Sequence, residues 1–177
     1  MSERQGHGAK LEKFICKVFG LKQSERHDAH YDAMGPDGAN WSIKHSTTNS
    51  IWLGSAIRRI FDEDHILAVY NARIAELNLF AIKLNDWKKS LPPAHVIEDI
   101  QSRVKIYAYD KMTPSERHLF LEECKNASKD YGIKLCPKLG NHTKGRPGRL
   151  HCMCGLNWLK SKFINKTIKN FGRDIWS

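Results

Sequence analysis

Residues 31–47 read YDAMGPDGANWSIKHST, and the fold class turns on this stretch. Gly35-Pro36-Asp37-Gly38 is strong turn chemistry: proline presets the backbone of a turn's second position, and glycine tolerates positive φ. The flanking segments are therefore expected to pair as two short strands of a hairpin. Side chains alternate along a strand, so Ser42 and Lys44 share a face, which Asp32 on the opposing strand can join. His45, one residue on, points to the other face and is read as structural.

Towards the N-terminus, Leu11, Phe14, Ile15, Val18 and Leu21 recur at helical spacing and predict a helix over about residues 8–21. Towards the C-terminus the pattern predicts a short helix over Ile51–Phe61. Strands near Ile66–Ile74 and Leu77–Leu84 follow, rich in β-branched and aromatic residues. Residues 95–106, HVIEDIQSRVKI, continue as a helix. Another starts at Thr113-Pro114-Ser115-Glu116, where Thr113 caps, Pro114 suits the first turn and Glu116 completes a capping box; it is expected to end near Gly132. Strands over 133–139 and 149–156 then flank the loop GNHTKGRPG, with a basic helix expected from Leu159 to Asn170. The expected fold is mixed α/β, a central, meander-like mixed sheet flanked by helices with a late hairpin. It is expected as one domain, with a catalytic core over about 8–90 and a basic hairpin plus helix over about 134–170.

A chain of 177 residues is long enough for one sizeable core, and 41% hydrophobic with 27% charged residues is the composition of a globular protein. No apolar run approaches the roughly 18 residues of a membrane span. The polar start MSERQGHGAK lacks an apolar signal core, so a cytoplasmic or nucleoid-associated, non-secreted protein with no membrane partner is expected. Five cysteines, an odd number, read as reduced thiols. The net charge is +10, and residues 134–177 hold ten Lys/Arg against the single acid Asp174, so nearly all the excess lies in the last quarter. Such asymmetry points to a polyanion-binding surface, a solvated basic tail being the plainer alternative.

Cutting a phosphodiester takes a divalent cation on carboxylate oxygen and a positive group near the attacked phosphate. Asp32 and Lys44 offer both, with the backbone carbonyl of Ile43 between Ser42 and Lys44 as a further metal ligand. Asp28 and Asp37 are rival carboxylates, Asp37 the weaker because Pro36-Asp37-Gly38 is ordinary turn sequence. In Asp32-Ala33, Gly38, Trp41 and Ser42-Ile43-Lys44 the chain resembles the PD-(D/E)XK nuclease superfamily, above all compact type II restriction endonucleases of the PvuII kind. The resemblance covers roughly residues 8–50 and implies a restriction-endonuclease-like core, Mg²⁺-dependent hydrolysis of double-stranded DNA leaving 5′-phosphate and 3′-hydroxyl ends, and homodimers matched to palindromic sites.

Ser42 departs from the pattern, standing where most members carry a second carboxylate. Three accounts compete. Glu12, on the first helix where related resolvases carry a glutamate, completes the metal site with Asp32; or Ser42 holds a metal-bound water; or catalysis has been lost. Against the first, glutamate near a helix N-terminus is also favoured by the helix dipole alone.

In the late hairpin Lys138, Asn141, His142, Lys144, Arg146 and Arg149 crowd one glycine-rich loop and are the candidate DNA contacts. Arg and Lys grip guanine edges and phosphates, and Asn pairs with adenine. Lys160, Lys162, Lys166 and Lys169 are assigned to phosphates. Cys136, His142, His151, Cys152 and Cys154 are capable zinc ligands, but their spacing fits no standard finger and buried free cysteines are as good a reading. Trp52, Trp87, Trp158 and Trp176 read as core or surface aromatics without a visible stacking platform. The expected function is thus a type II restriction-like endonuclease. A structure-selective resolvase or nicking enzyme is the alternative within the class, and a non-catalytic, zinc-stabilised DNA-binding protein the alternative outside it.

Overall fold

The computed structural model describes residues 3–25, 30–108 and 110–172, with side chains from Gly8 onward. Asp28 and Trp176 lie outside the described residues. The chain is mixed α/β, with a six-stranded central sheet, a three-stranded sheet and flanking helices. It divides into two compact units, residues 1–51, 62–84 and 156–177 forming the first and 52–61 and 85–155 the second.

The first unit opens with α1 (Glu3–Phe19), whose Leu11, Ile15 and Cys16 are buried while Val18 is exposed, so the apolar face is narrower than its spacing predicted. Strands β1 (Lys22–Gln23), β2 (Ala33–Met34) and β3 (Asn40–Ser46) run antiparallel in that order. The predicted hairpin is present between β2 and β3. The Gly38 amide donates to the Gly35 carbonyl, Gly38 sits at φ 81°, and the Ala39 amide donates to Asp37 Oδ1. β3 then pairs with β5 (His65–Asn71), and β5 with β6 (Glu76–Ile82), at registers that place Ser42 beside Leu67 and Leu67 beside Phe80.

β3 and β5 are parallel, not a meander. A parallel pair needs a crossover, and here the chain leaves the sheet through β4 (Ser50–Ser55) and α2 (Ala56–Arg59) before returning. This corrects the helix expected over Ile51–Phe61: Ile51 and Leu53 are buried and Trp52 exposed, the two-residue period of a strand. The basic helix expected from Leu159 to Asn170 is likewise α6 (Leu156–Lys162) followed by β9 (Asn165–Ile168), which pairs antiparallel with β6 at the sheet edge. The Thr167 hydroxyl donates to Asn78 Oδ1 there, a cross-strand bond that a continuous helix would forgo. Leu11, Ile15, Cys16, Ala33, Ile43, Ala68, Tyr70, Leu77 and Phe171 form the core between α1 and this sheet.

In the second unit β4, β8 (Arg149–Gly155) and β7 (Lys134–Lys138) form the three-stranded sheet, with β8 in the middle. Its inner side, Leu53, Leu135, Leu150, Cys152 and Cys154, is buried, with α4 (Ala94–Ile106) on β8 and α5 (Pro114–Ala127) on β7. The short α3 (Leu84–Ser90), which periodicity did not reveal, buries Trp87. α5 ends at Ala127, short of Gly132, and carries the predicted capping box: Thr113 Oγ1 accepts from the Glu116 amide, and the Thr113 amide donates to Glu116 Oε2 at 2.7 Å. The segment 134–170, read from sequence as one recognition element, is divided: the hairpin belongs to the second unit, α6 and β9 to the first.

Candidate active site

β2 is only two residues long, and this shortness builds the site. Its register ends with Ala33 opposite Trp41, so β3 runs on past the last β2 residue. Asp32, one residue before β2, still exchanges backbone bonds with both neighbours, donating to Trp41 and accepting from Ser24. Beyond that point its side chain takes over from the missing strand. The Ile43 amide donates to Asp32 Oδ2 at 2.6 Å, Lys44 Nζ at 3.0 Å and Ser42 Oγ at 3.4 Å. Three consecutive residues thus converge on one carboxylate oxygen. Among the described residues Oδ1 receives no donor.

In an extended strand a residue's N–H and C=O point to the same edge. Because the Ile43 amide reaches Asp32, the Ile43 carbonyl is directed to the same edge, where no further β2 residue donates to it. Its side chain meanwhile packs in the core against α1. Ser42 is buried, Lys44 and Asp32 part-exposed, at 21% and 30% of their side-chain surfaces. A charged pair left partly in water keeps its lysine available to an incoming anion.

Glu12 makes no hydrogen bond or ion pair with Asp32, Ser42 or Lys44 among the described residues. Its Oε1 accepts from Gln23 Nε2 at 2.6 Å, which gives it a structural occupation that the sequence did not reveal. It is nonetheless a near neighbour. The Cys16 thiol, one helical turn along from Glu12, has its pKa pushed up by burial first, then by the negative fields of Glu12 and of Asp32. Both carboxylates thus act electrostatically on one thiol. No group of three His, Cys, Asp or Glu side chains stands together as a metal cage among the described residues. The donors present suit a hard cation that keeps much of its water shell, since Mg²⁺ is commonly held by only one or two carboxylates. Among the described residues neither Asp32 Oδ1 nor Glu12 Oε2 receives a hydrogen bond.

Of the other carboxylates, Asp37 is spent on its turn. Asp62, which no spacing singled out, has a fully buried side chain and holds His30 Nε2 at 2.6 Å. His45 is exposed, its ring 6.1 Å from that of Tyr70.

The hairpin loop of the second unit is more constrained than its glycines implied. Residues His142–Lys144 form one 3-10 turn; Asn141 Oδ1 caps it, accepting from the Lys144 amide at 3.0 Å and from Thr143 Oγ1 at 2.7 Å. Asn141, read from sequence as an adenine contact, thus spends its side-chain oxygen inside the loop. Asp110 accepts from the His142 and Thr143 amides, each at 3.1 Å, and these bonds hold its carboxyl below the usual aspartate range. Gly148 and Gly140 serve close packing, not groove approach: a Cβ on Gly148 would lie 2.0 Å from the Val104 carbonyl, and one on Gly140 2.5 Å from that of Arg146. Lys138, His142, Lys144, Arg146 and Arg149 remain exposed. Lys160, assigned from sequence to phosphate, lies 3.8 Å from Glu76.

The candidate zinc ligands are split. Cys152 and Cys154 are buried on the inner face of the sheet, where burial drives the Cys154 thiol far above its ordinary range; Cys136 and His151 face each other across β7 and β8 on the outer face. Compared with known proteins, the chain matches no protein-family model, and no curated protein is significantly similar to it.

Proposed function

We propose that this chain is a Mg²⁺-dependent endonuclease acting on double-stranded DNA, with Asp32 and Lys44 at its centre. The observation that carries the reading is the convergence of Ser42, Ile43 and Lys44 on one oxygen of Asp32, leaving the other oxygen bare. A carboxylate so held cannot rotate away. The Ile43 amide fixes its plane and leaves Oδ1 without a donor that a cation would have to displace. When bound, Mg²⁺ supplies polarisation of the scissile phosphate and a more acidic water. Asp32 and Glu12 would hold it through their unengaged oxygens, together with the Ile43 carbonyl. Lys44 brings positive charge to the phosphate oxygens as negative charge builds there, and its remaining N–H bonds orient the attacking water. Ser42, buried and at 3.4 Å from Asp32 Oδ2, lines the site and adds only the weakest of the three contacts on that oxygen.

By the superfamily resemblance the products carry 5′-phosphates and 3′-hydroxyls, and the acting species is a homodimer that reads a palindromic site. The exposed Lys138, Lys144, Arg146 and Arg149 are the side chains proposed to reach DNA from the second unit. Incubation of mixed-sequence plasmid and phage DNA with Mg²⁺ tests the proposal. Wild type is expected to give discrete fragments, and Asp32→Ala and Lys44→Ala to slow cutting by about 10²-fold or more. DNA bound but never cut, with Mg²⁺ or Mn²⁺, would assign the chain to non-catalytic DNA binding. Cleavage undiminished in both variants would remove the site.

A further inference from the structure

The outer face of the three-stranded sheet in the second unit is open and has a definite chemistry. Strand alternation puts Leu53, Leu135, Leu150 and Cys152 inside, and Trp52, Lys138, Arg149 and His151 outside. The register sets Lys138 opposite Arg149 and Cys136 opposite His151, so the basic groups sit side by side across β7 and β8. Trp52, on the neighbouring edge of β8, is 48% exposed, a large area of indole to leave in water. Its ring meets His151 edge-on at 6.3 Å, and Lys138 Nζ lies over the ring 5.0 Å from its centre. Among the described residues neither Lys138 nor Arg149 has a carboxylate partner, and no acid occupies the outward positions of β4, β7 or β8.

We infer that this face is a binding site for unpaired DNA bases, with Trp52 as the stacking surface and Lys138 and Arg149 as the phosphate clamps. Three physical points carry it. An exposed indole on a rigid strand offers a flat π-face at almost no cost in conformational entropy. An ammonium over an exposed ring is weakly held, and a stacked base replaces it with a stronger contact while the same lysine moves to the adjoining phosphate. Finally, a cluster of unpaired cations on an acid-free face selects a polyanion, and the indole selects among polyanions the one that carries aromatic rings. Burial and the positive fields of Lys138 and Arg149 hold His151 below the usual histidine range, so at neutral pH it adds an uncharged rim to the ring and not a further charge.

The site goes beyond the proposed nuclease reading and does not depend on it, because its binding is read in EDTA, where cutting is silent. The full-length chain is titrated with fluorescein-labelled oligothymidylate of about a dozen nucleotides, a length within the range of known single-strand sites. Inorganic polyphosphate and a blunt duplex serve as comparators. Wild type is expected to bind the oligothymidylate with quenching of its tryptophan fluorescence. Trp52→Ala is expected to lose that quenching and to weaken binding by about tenfold, while Trp52→Phe stays within about threefold. Polyphosphate binding is expected to be equal in wild type and Trp52→Ala, and to fall in Lys138→Gln. Trp52 lies outside the core, and circular dichroism of the alanine variant confirms that it is folded. Wild-type affinity for oligothymidylate in Trp52→Ala overturns the inference. So does an equal loss in the phenylalanine variant, or an equal loss for polyphosphate or the duplex.

Discussion

Ser42 and Glu12 are the two residues on which the proposed metal site turns, and the geometry separates them. The Ser42 hydroxyl stands 3.4 Å from Asp32 Oδ2, near the limit of a hydrogen bond, whereas the Ile43 amide on the same oxygen is at 2.6 Å. Removing the hydroxyl therefore leaves Asp32 anchored. Ser42→Ala is expected to keep Mg²⁺-dependent cleavage within about threefold of wild type, since only the weakest of the three donors is lost. Glu12→Gln is different: the amide retains the volume and can still meet Gln23, but it removes one of the two negative charges that act on Cys16. Its expected effect is a higher Mg²⁺ concentration for half-maximal cutting, measured by titrating the cation at fixed DNA. An unchanged Mg²⁺ dependence would take Glu12 out of the metal site and leave it as the Gln23 partner alone. The spacing of Asp32, Ser42 and Lys44 was legible in the sequence because strand parity is fixed once the Gly-Pro-Asp-Gly turn is recognised. The dominant Ile43 amide bond was not, because it depends on β2 stopping at Ala33, and nothing in the residues around Tyr31 marks that end. Gln23 was invisible for a related reason: its bond to Glu12 spans two elements that only the folded sheet brings together.

At the level of elements, local chemistry was readable where one residue type does one job, and ambiguous where two periods compete. The Thr113–Glu116 box is local, and it forms as read. Thr113→Ala removes the acceptor of the Glu116 amide and is expected to cost about 0.5–2 kcal/mol, seen as a lower midpoint in thermal denaturation of the whole chain. By contrast, the apolar run from Ile51 to Phe61 fits both a helix and a strand, and only Trp52 facing water while Ile51 and Leu53 face inward identifies β4. β9 is hidden in a lysine-rich stretch whose four strand residues are recruited by the edge of β6. The hairpin loop gives a pH test of the same local kind. The His142 and Thr143 amides hold the Asp110 carboxyl below its ordinary range, so the contribution of Asp110 to loop order is complete at neutral pH. It is lost as the pH falls through that depressed value. Protection of the His142 and Thr143 amides, taken against their intrinsic exchange rates at each pH, is expected to fall on acidification, and in Asp110→Ala to be low already at neutral pH. Protection that stays high in the variant would show that the 3-10 turn stands on its Asn141 cap without Asp110.

For the molecule as a whole the governing quantity is the net charge of +10, whose excess lies in the last 44 residues of sequence but is divided between two compact units in the fold. A linear reading treats residues 134–170 as one basic arm; the structure gives Lys138, Lys144, Arg146 and Arg149 to the second unit, and Lys160, Lys162 and Lys166 to the first. Lys160 faces Glu76, so part of the first unit's charge is offset internally, whereas Lys138, Lys144, Arg146 and Arg149 of the second unit have no acid partner among the described residues. Counterion release converts this difference into a measurement. Each phosphate contact adds about −0.9 to the slope of log K against log salt on duplex DNA. Neutralising Lys144 and Arg146 together is therefore expected to flatten the slope by about two, because both are exposed and unpaired. Lys160→Gln is expected to leave it nearly unchanged, since its charge already answers Glu76. These titrations belong in EDTA with non-cleavable conditions, so that affinity is read apart from cutting. A slope flattened equally by Lys160→Gln would mean that DNA tracks total charge, as a solvated basic tail would dictate. A slope that responds only to Lys144 and Arg146 locates the phosphate contacts on the hairpin of the second unit, where the fold leaves positive charge without an internal partner.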